Sequence, residues 1–150
     1  MRHLRKFNES YTQQYLDELQ EFCNDHLSYL IDDDYKISTQ HFEILEGDVF
    51  QIVVRPPMVV KNYGCMKEIG TPFGNFKARL IPFIYMLLKE YRLLTNEEIG
   101  ELKDFSMGFA KPGTPRIRDI EILGIGSLDH LEQVEDDLMV KTFFIRVKKK

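Results

Sequence analysis

The stretch that decides the fold runs from Tyr35 to Pro57 and reads YKISTQHFEILEGDVFQIVVRPP. Apolar or β-branched residues alternate with polar ones on both sides of a turn-like Glu-Gly-Asp sequence at residues 46–48. They are Tyr35, Ile37, Thr39, Phe42 and Ile44, followed by Phe50, Ile52 and Val54. A period of two is typical of strands with one buried face, and a Pro-Pro pair ends such a strand. The stretch therefore predicts a β-hairpin.

A helical pattern precedes the hairpin. From Ser10 to Ile31 the apolar residues recur at helical spacing, with acidic residues on the opposite side. We therefore expect an amphipathic first helix. His26 continues the apolar stripe, which predicts a partly buried core histidine.

A second helix is predicted after the hairpin, and its residues are more apolar. Its buried face comprises Phe76, Leu80, Phe83, Ile84, Leu87, Leu88 and Tyr91. Pro82 lies beyond the first turn, so a kink or a later helix start is expected. Thr95-Asn96-Glu97-Glu98 then has the capping-box pattern, which predicts a short third helix to about Lys103.

Two segments rich in Gly and Pro, at residues 56–74 and 106–116, show no sustained period and are expected to be loops. Strands are predicted around Ile117–Ile122 and Val140–Val147. Between them, residues 127–137 fit either a helix capped by Ser127 or a hairpin loop.

These elements predict an α+β fold. Helix-strand-strand occurs twice, and Phe42-Glu43-Ile44-Leu45 has a faint echo in Ile120-Glu121-Ile122-Leu123. The expected architecture is a two-layer one, with a four-stranded, mainly antiparallel sheet and both main helices on one face. A duplication and a chance likeness between hairpins both remain open.

Composition indicates one domain over residues 1–150, with a flexible basic lead at residues 1–9. Hydrophobic residues make up 43% of the chain and charged residues 29%, as in ordinary globular proteins. The net charge of -4 disfavours nucleic-acid binding. No apolar run approaches the roughly 18 residues needed to span a bilayer, so a cytoplasmic protein without membrane contact is expected.

No catalytic or metal-binding motif stands out. The four histidines lack metal-ligand spacing, and Cys23 and Cys65 lie far apart, which predicts reduced thiols, no metal and no cofactor. An unfamiliar enzyme site drawn from Cys65, His41 and nearby carboxylates is one alternative. Asp32-Asp33-Asp34 lacks the pattern of a calcium loop, and its expected partners are Arg2, Arg5, Lys6 or Lys148 to Lys150.

The segment from Gly70 to Arg79 is the candidate ligand site. Gly70 and Gly74 would allow close approach to a ligand, and a helix start followed by Lys77 and Arg79 would attract phosphate. A phosphate-bearing small molecule, such as a nucleotide, is therefore a possible partner. The Gly-Lys-Ser/Thr ending of a P-loop is missing, and a solvated basic turn is the alternative interpretation.

A second candidate surface is the loop from Phe105 to Arg118. It combines aromatic and basic residues with Gly and Pro, as both single-strand binders and protein-docking loops do. The predicted contact residues are Phe109, Lys111, Arg116 and Arg118. An ordinary surface loop has the same composition.

The opening sequence, Met1-Arg2-His3-Leu4-Arg5-Lys6-Phe7-Asn8-Glu9-Ser10, resembles the start of small uncharacterised proteins of large tailed bacteriophages, and the Ile81-Pro82-Phe83 helix is similar to another group of them. The resemblance covers about a fifth of the chain and brings no catalytic residues. It implies a phage accessory protein in the infected host cell. We expect a non-enzymatic protein that binds another protein, viral or host, with a nucleotide-binding or sequestering module as the alternative.

Overall fold

The computed structural model describes residues 2–44, 47–64, 66–95, 97–98, 117–122 and 131–150. In chain order the elements are helices α1 (Arg2–His26) and α2 (Ser28–Asp32), strands β1 (Lys36–Ile44), β2 (Gly47–Arg55), β3 (Val59–Tyr63) and β4 (Met66–Pro72), helix α3 (Gly74–Leu87), and strands β5 (Tyr91–Leu93), β6 (Ile117–Ile122) and β7 (Met139–Lys149). The α+β class is confirmed.

The sheet is organised around β7. This strand pairs antiparallel with β2, β4 and β5 and parallel with β6. β1 joins through β2, and β3 joins through β4, so the described residues form a seven-stranded sheet. The prediction of four strands is wrong. Strands β3, β4 and β5 were missed because apolar and polar residues do not alternate in them over a long enough stretch to be recognised.

The predicted hairpin is confirmed. β1 and β2 pair in register from Lys36 opposite Arg55 to Ile44 opposite Gly47, and Pro56 follows directly after the ladder. In the second half, the two predicted strands β6 and β7 are both present, but they are parallel. The halves therefore differ in strand pairing, despite the similar sequence around Phe42 and Ile120.

Both long helices contact the same face of the sheet. Val54 lies directly opposite Phe143, which places Phe50 and Phe143 on one face. Tyr15 of α1 meets Phe50, and Phe76 of α3 meets Phe143, each with ring centroids 6.3 Å apart. On the other face of β2, Val49, Gln51 and Val53 are buried as well. The two-layer arrangement stays a prediction.

The first helix differs from its predicted bounds. It begins at Arg2 rather than Ser10, and a break at Leu27 separates α1 from α2. Leu27 is fully buried, whereas His26 is exposed and lies over the Phe22 ring. The prediction of a core histidine is wrong because the buried face passes through Cys23, Leu27 and Leu30 at helical spacing, which leaves His26 beside it.

The segment 56–74 is not one long loop. β3 and β4 form a hairpin with Val59 opposite Gly70 and Tyr63 opposite Met66, and Gly64 in the turn has a φ of 60°. Valine on both faces of β3 hides the alternation that marks a strand with one buried face. The hairpin is therefore missed by periodicity.

Helix α3 begins at Gly74 and continues through Pro82, so the later start is wrong. Its face is buried as predicted from Phe76 to Leu87, but Tyr91 belongs to β5, where it lies opposite Lys149. The capping box at Thr95 is present, and residues 97–98 are helical, while residues 99–103 of the predicted third helix lie outside the described residues. Of residues 127–137, the structure describes a helical turn at 131–133.

Ile84 tests the position of the core. It is fully buried in α3, whereas Met86 on the same helix is exposed. We expect Ile84→Ala to lower the free energy of unfolding by about 2 to 5 kcal/mol, because it removes apolar contacts and leaves a cavity. Met86→Ala is the matched control and should change stability by less than about 1 kcal/mol in urea denaturation. Equal losses would contradict the assignment of the buried face.

Candidate functional site

The two glycines of the predicted phosphate site are packed against the protein's own backbone. A Cβ atom on Gly70 would lie 2.9 Å from the Val140 carbonyl oxygen, and one on Gly74 would lie 2.8 Å from Cβ of Asp136. Gly70 also has a φ of 149°, which favours glycine. Close approach at both positions therefore serves packing within the fold.

The start of α3 is also occupied. The backbone N–H groups of Phe73 and Gly74 donate to the carbonyls of Leu138 and Asp136, at 2.8 and 2.9 Å. The Lys77 ammonium donates to the carbonyls of Glu132 and Val134 and lies 3.5 Å from the Asp136 carboxylate. The segment 131–138 thus takes the place in which the sequence predicted an anion.

Arg79 points elsewhere. Its guanidinium donates to the Asp33 carboxylate at 2.9 Å and lies over the Tyr29 ring. Lys77 and Arg79 are therefore not brought together on one ligand. The ion pair between Arg79 and Asp33 also corrects an expectation. The partner of the Asp32-Asp33-Asp34 run was expected among the cations near the two ends of the chain. Phosphate binding stays a prediction, and these contacts favour a structural role for all four residues.

The other predicted site residues are only partly visible. Phe109, Lys111 and Arg116 lie outside the described residues, and Arg118 lies in β6 opposite Val140. For the alternative enzyme site, Cys65 is likewise outside, while the Nε2 atom of His41 lies 2.7 Å from the Asp48 carboxylate. Burial raises the pKa of the Cys23 thiol to about 12, so this buried cysteine is a poor nucleophile.

Sequence reasoning did not foresee the full role of Glu98. Its side chain is 2% exposed and accepts hydrogen bonds from the Arg92 guanidinium at 2.7 and 3.0 Å, and the Lys148 ammonium lies 2.7 Å away. It also caps its own helix start: Thr95 N–H donates to the carboxylate, and Glu98 N–H donates to the Thr95 hydroxyl. We call Arg92, Thr95, Glu98 and Lys148 the Glu98 cluster. The capping box was the one part of it visible in the sequence.

The hydrogen bonds of this cluster favour the ionised form of Glu98. Hydrogen bonds from Arg92 above all, and then from Lys148 and Thr95, hold the pKa of Glu98 far below its usual range, although burial acts in the opposite direction. The carboxylate is therefore ionised at neutral pH, and it accepts hydrogen bonds from several donors. Such a group stabilises structure and has no proton to exchange near neutral pH.

A second polar row crosses the same sheet. The Arg146 guanidinium of β7 donates to the side-chain Oε1 of Gln51 at 2.6 Å, and the side-chain Nε2 of Gln51 donates to Oε1 of Gln40 at 2.9 Å. Within the described ranges, no buried side-chain nitrogen or oxygen lacks a partner. Among these same residues, no three His, Cys, Asp or Glu side chains converge as a metal site would require. The buried polar groups therefore offer no open coordination position in this part of the chain.

An exposed apolar surface lies on the β3–β4 hairpin and the residue before it. Four large apolar side chains are exposed there: Met58 at 50%, Val59 at 43%, Val60 at 56% and Ile69 at 45%. Val60 and Ile69 lie directly opposite each other. We call these four residues the edge surface. The sequence signal was the apolar run Met58-Val59-Val60 directly after the Pro-Pro pair, which the interpretation of this segment as a loop did not use.

The base of this hairpin is fixed. The buried Thr71 hydroxyl donates to the Pro57 carbonyl, and Thr71 and Pro72 pair with β7. From Met66 to Gly70, β4 pairs with β3. The edge surface is therefore held by an anchored base and presented at the margin of the sheet.

No protein-family model, curated protein or solved structure matches this chain. None of the helices in the described part of the chain combines the length and apolarity needed to cross a bilayer. The site has to be judged from its own geometry.

Glu98→Gln tests the buried cluster. The amide keeps the shape but leaves two cations without their counter-charge, so we expect a loss of about 3 kcal/mol at pH 7 by chemical denaturation. Since the pKa of Glu98 is lowered by folding, the native protein should also lose stability as the pH falls below about 4.5, and the variant should show a shallower loss. Glu97→Gln, at an exposed neighbour, is the control and should match the wild type.

Proposed function

We propose that this chain is a non-enzymatic accessory protein that acts by binding another protein through the edge surface. The observation that carries the proposal is the exposure of Met58, Val59, Val60 and Ile69 on one anchored hairpin. Single exposed apolar residues are ordinary on protein surfaces, but Val60 and Ile69 lie side by side on one face of the hairpin, and neighbouring exposed apolar side chains are typical of an interaction site.

The position of the hairpin supports the same function. β3 pairs with β4 alone among the described strands, so its second edge carries backbone N–H and C=O groups that are not used in the sheet. An edge strand with apolar side chains is a ready template for a partner polypeptide. A partner would cover the apolar side chains and satisfy the backbone groups at once.

The alternative of a phosphate-binding module has less support. Lys77 and Arg79 already pair with carboxylates or carbonyls of the chain, and the helix start is closed by Asp136 and Leu138. A phosphate would have to displace these contacts. The protein-binding function requires no such rearrangement.

We also propose a phage origin and a cytoplasmic location for this protein. The opening ten residues resemble the start of small proteins of large tailed phages, and this resemblance supports an accessory protein that acts in the cytoplasm of an infected bacterium. A two-layer fold with the hairpin at its margin is part of the same proposal.

Charge substitutions on the edge surface test the function. The full chain, carrying an affinity tag, is expressed in the cells that produce it, crosslinked and analysed by quantitative mass spectrometry. We expect a specific partner to be recovered with the wild type and depleted about tenfold or more with Val60→Lys/Ile69→Lys, since apolar contacts at an interface centre dominate binding. The variant should remain folded because both side chains are exposed.

Met86→Lys is the matched control. Met86 is an exposed apolar residue on α3, outside the hairpin. It should retain the partner that the hairpin variant loses. Recovery of the same proteins in the same amounts with all three chains would contradict the proposed function.

A further inference from the structure

About half of the backbone groups of β1 point towards the open edge of this strand. β1 pairs with β2 alone among the described strands, and Ile44 lies opposite Gly47 across a connection of two residues. The pair next to such a turn exchanges both backbone hydrogen bonds, and every second pair along an antiparallel ladder does the same. The backbone groups of the intervening residues therefore point away from β2. These residues are Ile37, Thr39, His41 and Glu43.

Helix α1 reaches this edge through one side chain. Nε2 of Gln20 donates to the Ile37 carbonyl at 3.2 Å, and the Thr39 hydroxyl donates to Oε1 of Gln20 at 3.2 Å. Nε2 of Gln20 also donates to Oδ1 of Asn24, one turn further along α1, at 3.0 Å. The Ile37 carbonyl is one of the outward backbone groups. The Gln20 amide therefore occupies a position that an added strand would need.

Gln20 differs in its contacts from Gln13, which precedes it on the same helix. Gln13 is exposed and donates to Asp17 of α1 at 2.9 Å. Gln20 is half-buried, and both ends of its amide bond to β1. A side chain that is already ordered by these bonds has to be displaced before another strand can pair at Ile37.

The opposite end of the pairing path has no such contact. β1 and β3 are the two ends of the path β1-β2-β7-β4-β3. Tyr63 lies opposite Met66 across two residues, so the same alternation places the outward groups of β3 on Val60 and Asn62. Within the described ranges, no side chain forms a hydrogen bond with these groups. One end of the path is therefore covered by α1, and the other end is open.

The lengths of the two strands explain why cover is needed at β1. β1 has nine residues, whereas β3 has five, so an uncovered β1 would offer the longer ladder to another chain. Antiparallel pairing of two β1 strands about Gln40 would bring Ile37 of one copy opposite Glu43 of the other. Both residues have outward backbone groups. This pairing requires the Ile37 carbonyl, which Gln20 already holds.

We propose that Gln20 is an edge guard, which closes β1 against strand addition by a second copy of the chain. Its amide satisfies an outward carbonyl that would otherwise be available for pairing. Strand addition is thereby directed away from the longer edge, and the β3 edge is left for a partner. The guard is a device within the fold and does not depend on which partner β3 binds.

Sedimentation velocity of the purified full chain tests the guard. The starting chain carries Val60→Lys/Ile69→Lys, so that charge opposes association at β3. Adding Gln20→Ala should lower the concentration at which the chain associates by about tenfold, because an added strand no longer has to displace the amide bonds. Gln13→Ala is the matched control, since it makes the same change on α1 but loses only the bond to Asp17. Equal sedimentation of the Gln20→Ala and Gln13→Ala chains would overturn the inference.

Hydrogen exchange locates the association. The amides of His41 and Glu43 point outward, so they should gain protection as the concentration of the Gln20→Ala chain rises. Glu43→Pro removes an outward N–H and leaves the β1–β2 ladder intact, so adding it should restore the monomer. Association that persists with Glu43→Pro, or that leaves both amides unprotected, would contradict the guard.

Thr39→Val provides a second variant in case Gln20→Ala does not fold. It keeps the shape of the side chain and removes only the hydroxyl bond that holds Gln20. We expect association at a concentration between those of the Gln20→Ala and Gln13→Ala chains, or below that of Gln13→Ala if Gln20→Ala is unfolded. Sedimentation identical to that of Gln13→Ala would count against the inference. The proposed function fails separately, when recovery of a partner from cells does not depend on Val60 and Ile69.

Discussion

Strand β7 supplies the backbone pairing on which the rest of the fold depends. Four strands hydrogen-bond to it, and the two remaining strands reach the sheet through β2 and β4. Its side chains Phe143, Ile145 and Val147 are fully buried in the core, where Phe143 meets Phe73 and Phe76. The stability of the sheet therefore depends mainly on this one long strand, because each strand pairing that is lost from it also exposes apolar surface.

Polar side chains of β7 also hold elements that share few or no backbone hydrogen bonds with this strand. β5 has three residues, and the ion pairs from Glu98 to Arg92 and Lys148 link β5, the following helix start and the end of β7. Lys149 adds a cation–π contact over Tyr15, which joins the same end of β7 to α1. Buried charges are costly to desolvate, so a fully satisfied cluster fixes one arrangement of these elements.

The proposed binding surface lies on the β3–β4 hairpin, at the margin of the sheet that β7 organises. The hairpin is secured at its base by Thr71 and Gly70 against β7, and its outer strand carries exposed valines. Two residues that the sequence offered for ligand binding also make contacts within the fold: Lys77 donates to carbonyls of the segment 131–138, and Arg79 pairs with Asp33. The proposed binding surface thus lies at the sheet margin, on strands that contribute none of the Glu98 ion pairs.

The sequence by itself determined the elements with a clear period. These are the β1–β2 hairpin, the apolar face of α3, the strands β6 and β7 and the capping box at Thr95, because each is set by local spacing or local hydrogen bonds. Tertiary structure alone decided that β6 runs parallel to β7 and that Glu98 meets Lys148. It also decided that Lys77 and Arg79 bind different partners. Finally, it decided that Val59 and Val60 lie on an exposed edge strand. The physical reason is that pairing direction, ion-pair partners and exposure depend on residues far apart in the chain, which local periodicity does not encode.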